Sequence, residues 1–500
     1  MLLGSQRLLL CLCILWCSVI HTSAQTTSTR PNVLVILVDD LGWMDLGCYG
    51  SSFYETPNID RLAAKGVKFT QAYAASPVCS PTRASLMTGK NPIHTGVTDW
   101  IKGRQENGNA KPFEKYITPP TSYQLALTET TIAEIARQQG YTTFFAGKWH
   151  LGEEEKYWPL QHGFQYNVGG WKSGGPYGKI NDTTGGYFSP YKNPTLSDGP
   201  AGEYITDRLA TECIQFLEHQ TADTPFFMMY AMYAVHNPMQ APTALVQKYK
   251  AKQGQFSFTA AQRFSKDAAW MQHQPDWKLR LVQDNAVYAA MIENMDWNIG
   301  RMLQTLEAKD MLDNTIVVFT SDNGGLSTAE GSPTSNAPLR AGKGWVYEGG
   351  IRVPLVVYWK QRTHSTITDI PVGTTDIFAT LANAIDNAAY QHPQLEGKTI
   401  FQLMAQPKEA FERAMYWYYP HYSNQGGKPA VVIRKGDYKL IWWYETETVE
   451  LYDLKKDIGE QYNLALKEAK VTRQLKKQLL RWMKNNGAAK MQLNPKYTSQ

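Results

Sequence analysis

Cysteine is scarce in this chain, with 6 in 500 residues. Cys11, Cys13 and Cys17 fall in an apolar N-terminal stretch, which leaves Cys48, Cys79 and Cys213 for the remainder. Three cysteines are no disulfide framework, and the odd count asks which of them is chemical. Past the N-terminus no run reaches the roughly 18 continuous apolar residues of a membrane span. Charge of one sign is also lacking. Lys and Arg number 50 against 45 Asp and Glu, a net of +5, and the basic residues read as scattered rather than blocked. That argues against a nucleic-acid partner. No internal repeat and no low-complexity tract is found, and nothing in the composition suggests disorder or a coiled coil.

What is present suits a large folded chain. The length exceeds one ordinary domain and predicts a large unit with a smaller one. A hydrophobic fraction of 43% supports a sizeable core. Arg7, the apolar stretch Leu8 to Ile20 and the small residues Thr22-Ser23-Ala24 read as a signal peptide over residues 1–24. Export to the periplasm or the extracellular space is expected. The 15 Trp and 28 Tyr would suit stacking on sugar rings wherever they are exposed.

The pattern along the chain predicts an α/β fold. Val33 to Val38 is a β-branched apolar run that ends in Asp39-Asp40, the signature of a central parallel strand. Strand-like runs at Val67–Tyr73, Tyr141–Ala146, Phe226–Tyr233 and Thr315–Thr320 alternate with helical patterns. A mostly parallel central sheet flanked by helices follows, in a catalytic domain over residues 25–375. Past that point Ala430–Ile433, Tyr438–Trp443 and Val449–Tyr452 read as short antiparallel strands. A lysine-rich helix follows near Lys467–Lys484. These predict a smaller C-terminal α+β subdomain over residues 376–500. The glycine-rich stretch from Gly169 to Gly186 reads as a long loop.

Asp39-Asp40 and Asp322-Asn323 each follow a buried strand, where adjacent carboxylates are costly without a cation. Together they offer hard oxygen donors, which suit Ca²⁺, or less well Mg²⁺, rather than Zn²⁺. Either pair alone is equally a helix cap or a loop. Cys79-Ser80-Pro81-Thr82-Arg83 places a thiol four residues before a guanidinium, at a helix start. Both features favour anions. A buried cysteine in a turn is the plainer alternative.

Cys79-Ser80-Pro81-Thr82-Arg83, continued by Ala84-Ser85-Leu86-Met87-Thr88-Gly89, resembles the Cys-x-Pro-x-Arg signature of the type I, formylglycine-dependent sulfatases of the alkaline phosphatase superfamily. Other stretches match that family in order. They include Asp39-Asp40-Leu41-Gly42, Gly147-Lys148-Trp149-His150, His236-Asn237-Pro238, Ser321-Asp322-Asn323-Gly324 and Pro338 to Lys343. The match runs from about residue 31 to 465. Lys90 and Ile458 depart from the usual Arg and Pro, away from the chemistry.

The resemblance implies sulfate-ester hydrolysis. In that family the cysteine is oxidised to Cα-formylglycine, whose hydrate attacks sulfur, so Cys79 would need a formylglycine-generating enzyme. It further implies one Ca²⁺ on Asp39, Asp40, Asp322, Asn323 and residue 79. Arg83 would hold the hydroxyls of residue 79, and Lys148 and Lys343 the sulfate oxygens. His150 would take a proton from the diol, and His236 would protonate the leaving alcohol. Sequence context also resembles carbohydrate-directed members around Asp99, Trp100, Arg104, His162 and Trp171, which become candidate substrate contacts. A sulfated galactose or N-acetylgalactosamine cleaved from the end of a glycan is the expected substrate. Small aryl sulfates, phosphodiester or phosphonate hydrolysis, and a glycan-binding protein without catalysis remain the competing readings.

Overall fold

The computed structural model describes residues 30–176, 185–266, 277–386 and 392–498. The apolar leader read over residues 1–24 lies outside the described residues, as does part of the Gly169–Gly186 loop. Among the described residues, no helix is long and apolar enough to cross a membrane.

A 9-stranded sheet organises most of the chain. Its strands are β1 (Asn32–Val38), β2 (Val67–Tyr73), β3 (Thr142–Gly147), β4 (Tyr166–Val168), β5 (Phe226–Ala231), β6 (Thr315–Ser321), β7 (Arg352–Tyr358), β8 (Thr366–Thr368) and β9 (Val372–Gly373). They lie in the order β8-β2-β7-β6-β1-β5-β3-β4, with β9 also on β2. β1 runs parallel to both its neighbours, β5 and β6. β7 is reversed, antiparallel to β6 and to β2.

Every residue of β1 is buried. Alternation sends Leu34, Ile36 and Val38 to one core and Val33, Val35 and Leu37 to the other. The faces are covered by helices α1 (Pro57–Lys65), α2 (Cys79–Thr88), α3 (Ile132–Gln138), α4 (Ile205–Glu218), α5 (Ala286–Ala308) and α6 (Thr374–Asp386). Side chains of α1, α4 and α5 fill the first core, and those of α2, α3 and α6 fill the second. α6 starts where the sequence pattern changes, yet Ile377, Phe378 and Leu381 pack into the large sheet's core.

The C-terminal sheet is an antiparallel meander of β10 (Ala414–Tyr419), β11 (Ala430–Lys435), β12 (Tyr438–Trp443) and β13 (Val449–Asp453). Gly436, at φ +60°, makes the turn between β11 and β12. One face packs Val432, Ile441 and Tyr452 against Trp345, Tyr347 and Ile351, which lie just before β7. The other face packs Ile433, Leu440 and Leu451 against Leu475 and Leu479 of α7 (Ala469–Asn485). The smaller sheet therefore braces the segment that leads into β7.

Candidate active site

Parallel strands end on one edge, and their following residues converge there. Asp39-Asp40 follows β1, Asp322-Asn323 follows β6, and Lys148 and His150 follow β3. His236 lies beyond the end of β5. Because β7 is reversed, its entry lies at that same edge, which brings Lys343 in. Cys79 is the first residue of α2, and Arg83 stands one turn later. Asp40 and His150 hold φ of 60° and 57°, left-handed values that a non-glycine residue keeps only where its surroundings enforce them.

These side chains form one buried network. Lys148 Nζ lies 2.6 Å from Asp39 Oδ2, and Lys343 Nζ 2.8 Å from Asp40 Oδ2. Arg83 binds Asp322 Oδ2 at 2.7 Å and donates to the Lys148 carbonyl at 2.6 Å. Asn323 Nδ2 donates to Asp40 Oδ1 at 2.8 Å. Cys79 Sγ stands 3.5 Å from Asp39 Oδ1. Donor atoms of Asp39, Asp40, Cys79 and Asp322 all fall within 4.8 Å of one another, a geometry that could hold a metal ion. Asn323 Oδ1 is buried with no hydrogen-bond partner among the described residues and adds an oxygen to the set.

Burial sets the proton affinities. It pushes the Asp39 carboxyl up to about 8, against the pull of Lys148. Burial acts the same way on Asp40, where Lys343 and His236 outweigh it and hold the carboxyl low. The Cys79 thiol is pushed up to about 12 by burial. Burial, reinforced by Lys343, lowers His236 to about 3, and burial with Lys148 lowers His150 as well. His236 Nδ1 faces the Asn237 carbonyl at 2.7 Å, and its Nε2 lies 3.8 Å from Asp40 Oδ2. His150 Nε2 is 2.9 Å from the Ile101 carbonyl. Gly174 lies flat on that imidazole, since a Cβ there would stand 2.6 Å from the ring.

A cleft of about 250 Å³ opens over the network, lined by Cys79, His150, His236 and Lys343. Trp100 also lines it, as its sequence context suggested. Trp171, half-buried, accepts from the His150 backbone N–H through its carbonyl at 3.3 Å. Trp171 and three further candidates are not among the residues that line the cleft. Asp99 is buried behind its wall and accepts from the backbone N–H groups of Trp100 and Arg104 and from the Tyr419 hydroxyl. Arg104 pairs with Glu114 at 2.6 Å and donates to Asn424 at 2.9 Å, lining a separate cavity. His162 is fully buried against the Trp149 ring, at a centroid distance of 5.3 Å. Glu330, Asn424 and Gln425 line the cleft without having been anticipated. The last two sit in the β10–β11 connection, and nothing in their local sequence announces a site.

A family model described as Sulfatase matches residues 31–387. A second, described as N-sulphoglucosamine sulphohydrolase, C-terminal, matches residues 341–485. A protein of Formosa agariphila described as a sulfatase is 32% identical over 512 residues, covering 88% of this chain and 86% of that protein. The N-acetylgalactosamine-6-sulfatase of Homo sapiens is 28% identical over 443 residues, covering 84% of this chain and 73% of the relative. The crystal structure of Ps i-CgsB in complex with k-i-k-neocarrahexaose superposes with a TM-score of 0.70 at 25% identity, covering 91% of this chain and 93% of the other.

Proposed function

The chain belongs to the sulfatase family and is a sulfuric ester hydrolase, and from that premise we propose that it removes sulfate from a galacto-configured sugar, galactose or N-acetylgalactosamine, at the end of a glycan. The N-acetylgalactosamine-6-sulfatase relatives and the neocarrahexaose-bound neighbour support a glycan substrate. The observation that carries the reading is the contact of Cys79 with Asp39 inside a network that also holds Arg83, Lys148 and Lys343. In this reading Cys79 is converted to Cα-formylglycine by a separate generating enzyme. Its hydrate would supply a hydroxyl nucleophile for sulfur.

The donor set fits a hard cation. Asp39, Asp40, Asp322 and the Asn323 Oδ1 would all be oxygen ligands, a chemistry that supports Ca²⁺ as the ion of this proposal. When bound, the ion would offset charge on the nucleophile and on the sulfuryl oxygens. The chain's own groups do the rest. Arg83, fixed by Asp322, holds the residue-79 end of the site. Lys148 and Lys343 bind sulfate oxygens as point charges. His150 takes a proton at residue 79. His236, oriented through Nδ1 by the Asn237 carbonyl, has its proton affinity lowered by burial and Lys343; the anionic ester would offset Lys343, so that Nε2 takes up a proton and passes it to the departing sugar oxygen. Trp100 offers a face for the ring.

The division into a catalytic part over residues 25–375 and a C-terminal part over 376–500 belongs to the same proposal, with the packing of α6 carrying the larger part on to about residue 386. Export by the leader at residues 1–24 belongs to the same proposal.

Sulfate release from a panel of sulfated sugars, with Ca²⁺ and converted residue 79, tests the reading. Turnover of one galacto-configured ester is expected. Turnover confined to aryl sulfates, or equal turnover of phosphodiesters, would overturn it.

A further inference from the structure

The charge of this chain is not evenly spread. Residues 467–500 carry nine basic side chains and one acidic one, Glu468, a net of +8 against +5 for the whole chain. The impression of scattered basic residues is thereby corrected, because the rest of the chain is net negative. Most of the surplus lies on α7, AKVTRQLKKQLLRWMKN, which contains no acidic residue. Lys470, Arg473, Lys477, Arg481 and Lys484 are exposed. None of them makes an ion pair among the described residues. The opposite face is spent on packing. Leu475 and Leu479 are buried on the C-terminal sheet, and Trp482 stacks on Tyr416 at 4.6 Å.

Past α7 the chain runs back along residues 116–117. The Ala489 N–H donates to the Tyr418 hydroxyl, and Gln492 and Leu493 pair with Ile117 and Tyr116. Between this tail and residues 99–123 lies a cavity of about 550 Å³, lined by Lys102, Thr121, His421 and Lys490 among others. Its wall includes Asp99 and Lys102, which flank the Trp100 and Ile101 that line the active cleft. Cleft and cavity thus adjoin through residues 99–102, and the segment that leaves α7 forms another wall of the cavity.

We propose that the basic face of α7 and the adjoining cavity bind the body of a polymeric sulfated glycan whose end enters the cleft. The proposal deepens the sulfatase reading and rests on it for the identity of the occupant. Charge complementarity supplies the class: repeated sulfate groups meet a row of cations with no competing acid on the helix. A lipid surface fits less well, because the apolar face such a helix would insert is already committed to the sheet. Binding of this kind releases counterions and weakens steeply with salt.

The test uses the full chain and a variant carrying Lys470→Glu, Arg473→Glu, Lys477→Glu and Arg481→Glu, with the milder glutamine set as a check on folding. Chondroitin sulfate, unsulfated chondroitin, phosphatidylserine vesicles and duplex DNA are titrated at two salt concentrations. The expected result is preferential binding of chondroitin sulfate, weakened at least tenfold by charge reversal and less so by glutamine. The salt dependence should flatten, while turnover of a sulfated monosaccharide stays unchanged. Undiminished binding of the polymer by both variants would overturn the proposal, as would equal or tighter binding of vesicles, DNA or unsulfated chondroitin. Polymer binding that depends on these residues, without turnover of any sulfate ester, would instead fault the hydrolase reading and leave the track standing.

Discussion

Cys79 heads a buried helix with its sulfur 3.5 Å from the Asp39 carboxylate. Cys79→Ala should leave the fold intact and lower kcat at least about 10³-fold, because no neighbouring group can replace the nucleophile. Far-UV circular dichroism and sulfate release check both halves of that statement. His236→Ala should cut kcat/KM on sugar sulfates by about 10²- to 10⁴-fold. It should cost far less on an aryl sulfate, whose leaving group departs without a proton. Equal losses on both substrates would remove His236 from that role. Asp99 lies behind the cleft wall, where burial pushes its carboxyl up to about 7, against hydrogen bonds from Arg104, Trp100 and Tyr419. His421 Nδ1 stands 3.9 Å from it. A raised carboxyl pKa favours the folded state at low pH, and that contribution fades as pH climbs from about 4 toward 7. Asp99→Asn should therefore flatten the fall of stability over that window, by at most about 1.4 kcal/mol per pH unit. Denaturant melts across pH, wild type against variant, measure it.

Between elements, the junction that matters joins β12 to the segment entering β7. Lys439 of β12 is fully buried and pairs with Glu348 at 3.0 Å and Glu460 at 2.9 Å. Arg352, the first residue of β7, binds Glu348 from the other side at 3.3 Å. Lys439→Met would remove the cation paired with buried Glu460 and leave Glu348 to Arg352, and a loss of about 3–5 kcal/mol in unfolding free energy is expected. A change below about 1 kcal/mol would show that the pairing is dispensable. Elements of this kind were unevenly legible in the sequence. β1 and β6 were plain because apolar runs rich in β-branched residues end in polar pairs. β7 was harder to see, since Pro354 interrupts its run. The structure accommodates that proline where the pairing of β7 with β2 shifts register, between Val353 and Leu355. β10 is a nearly unbroken aromatic run, Ala414–Tyr419, with no alternation to mark it as a strand. The acidic residues of the network stood out because each pair follows a buried strand, whereas Cys79 and Arg83 stood out as a pair at a helix start. Asp99, Arg104, His162 and Trp171 lie off the cleft lining for a common reason. Proximity in sequence to a site does not say which side of a loop faces it, and here the polar ends turn inward or toward a second cavity.

The molecule as a whole is a large sheet that supplies oxygen donors along one edge and a small sheet that braces the basic side facing them. A cation bound to Asp39, Asp40, Asp322 and Asn323 should stabilise the folded chain by mass action. Added Ca²⁺ is expected to raise Tm saturably, chelation to reverse the rise, and Asp322→Ala to abolish it; a Tm indifferent to Ca²⁺ would exclude that assignment. Everything proposed for the reaction converges on residue 79. Mass analysis and aldehyde labelling of the peptide that carries it should therefore be read beside sulfate release from the same preparation, made with a formylglycine-generating enzyme. Activity that rises in proportion to the converted, sulfur-free form is expected. Full activity from protein in which residue 79 is still a cysteine thiol would contradict the mechanism at its centre.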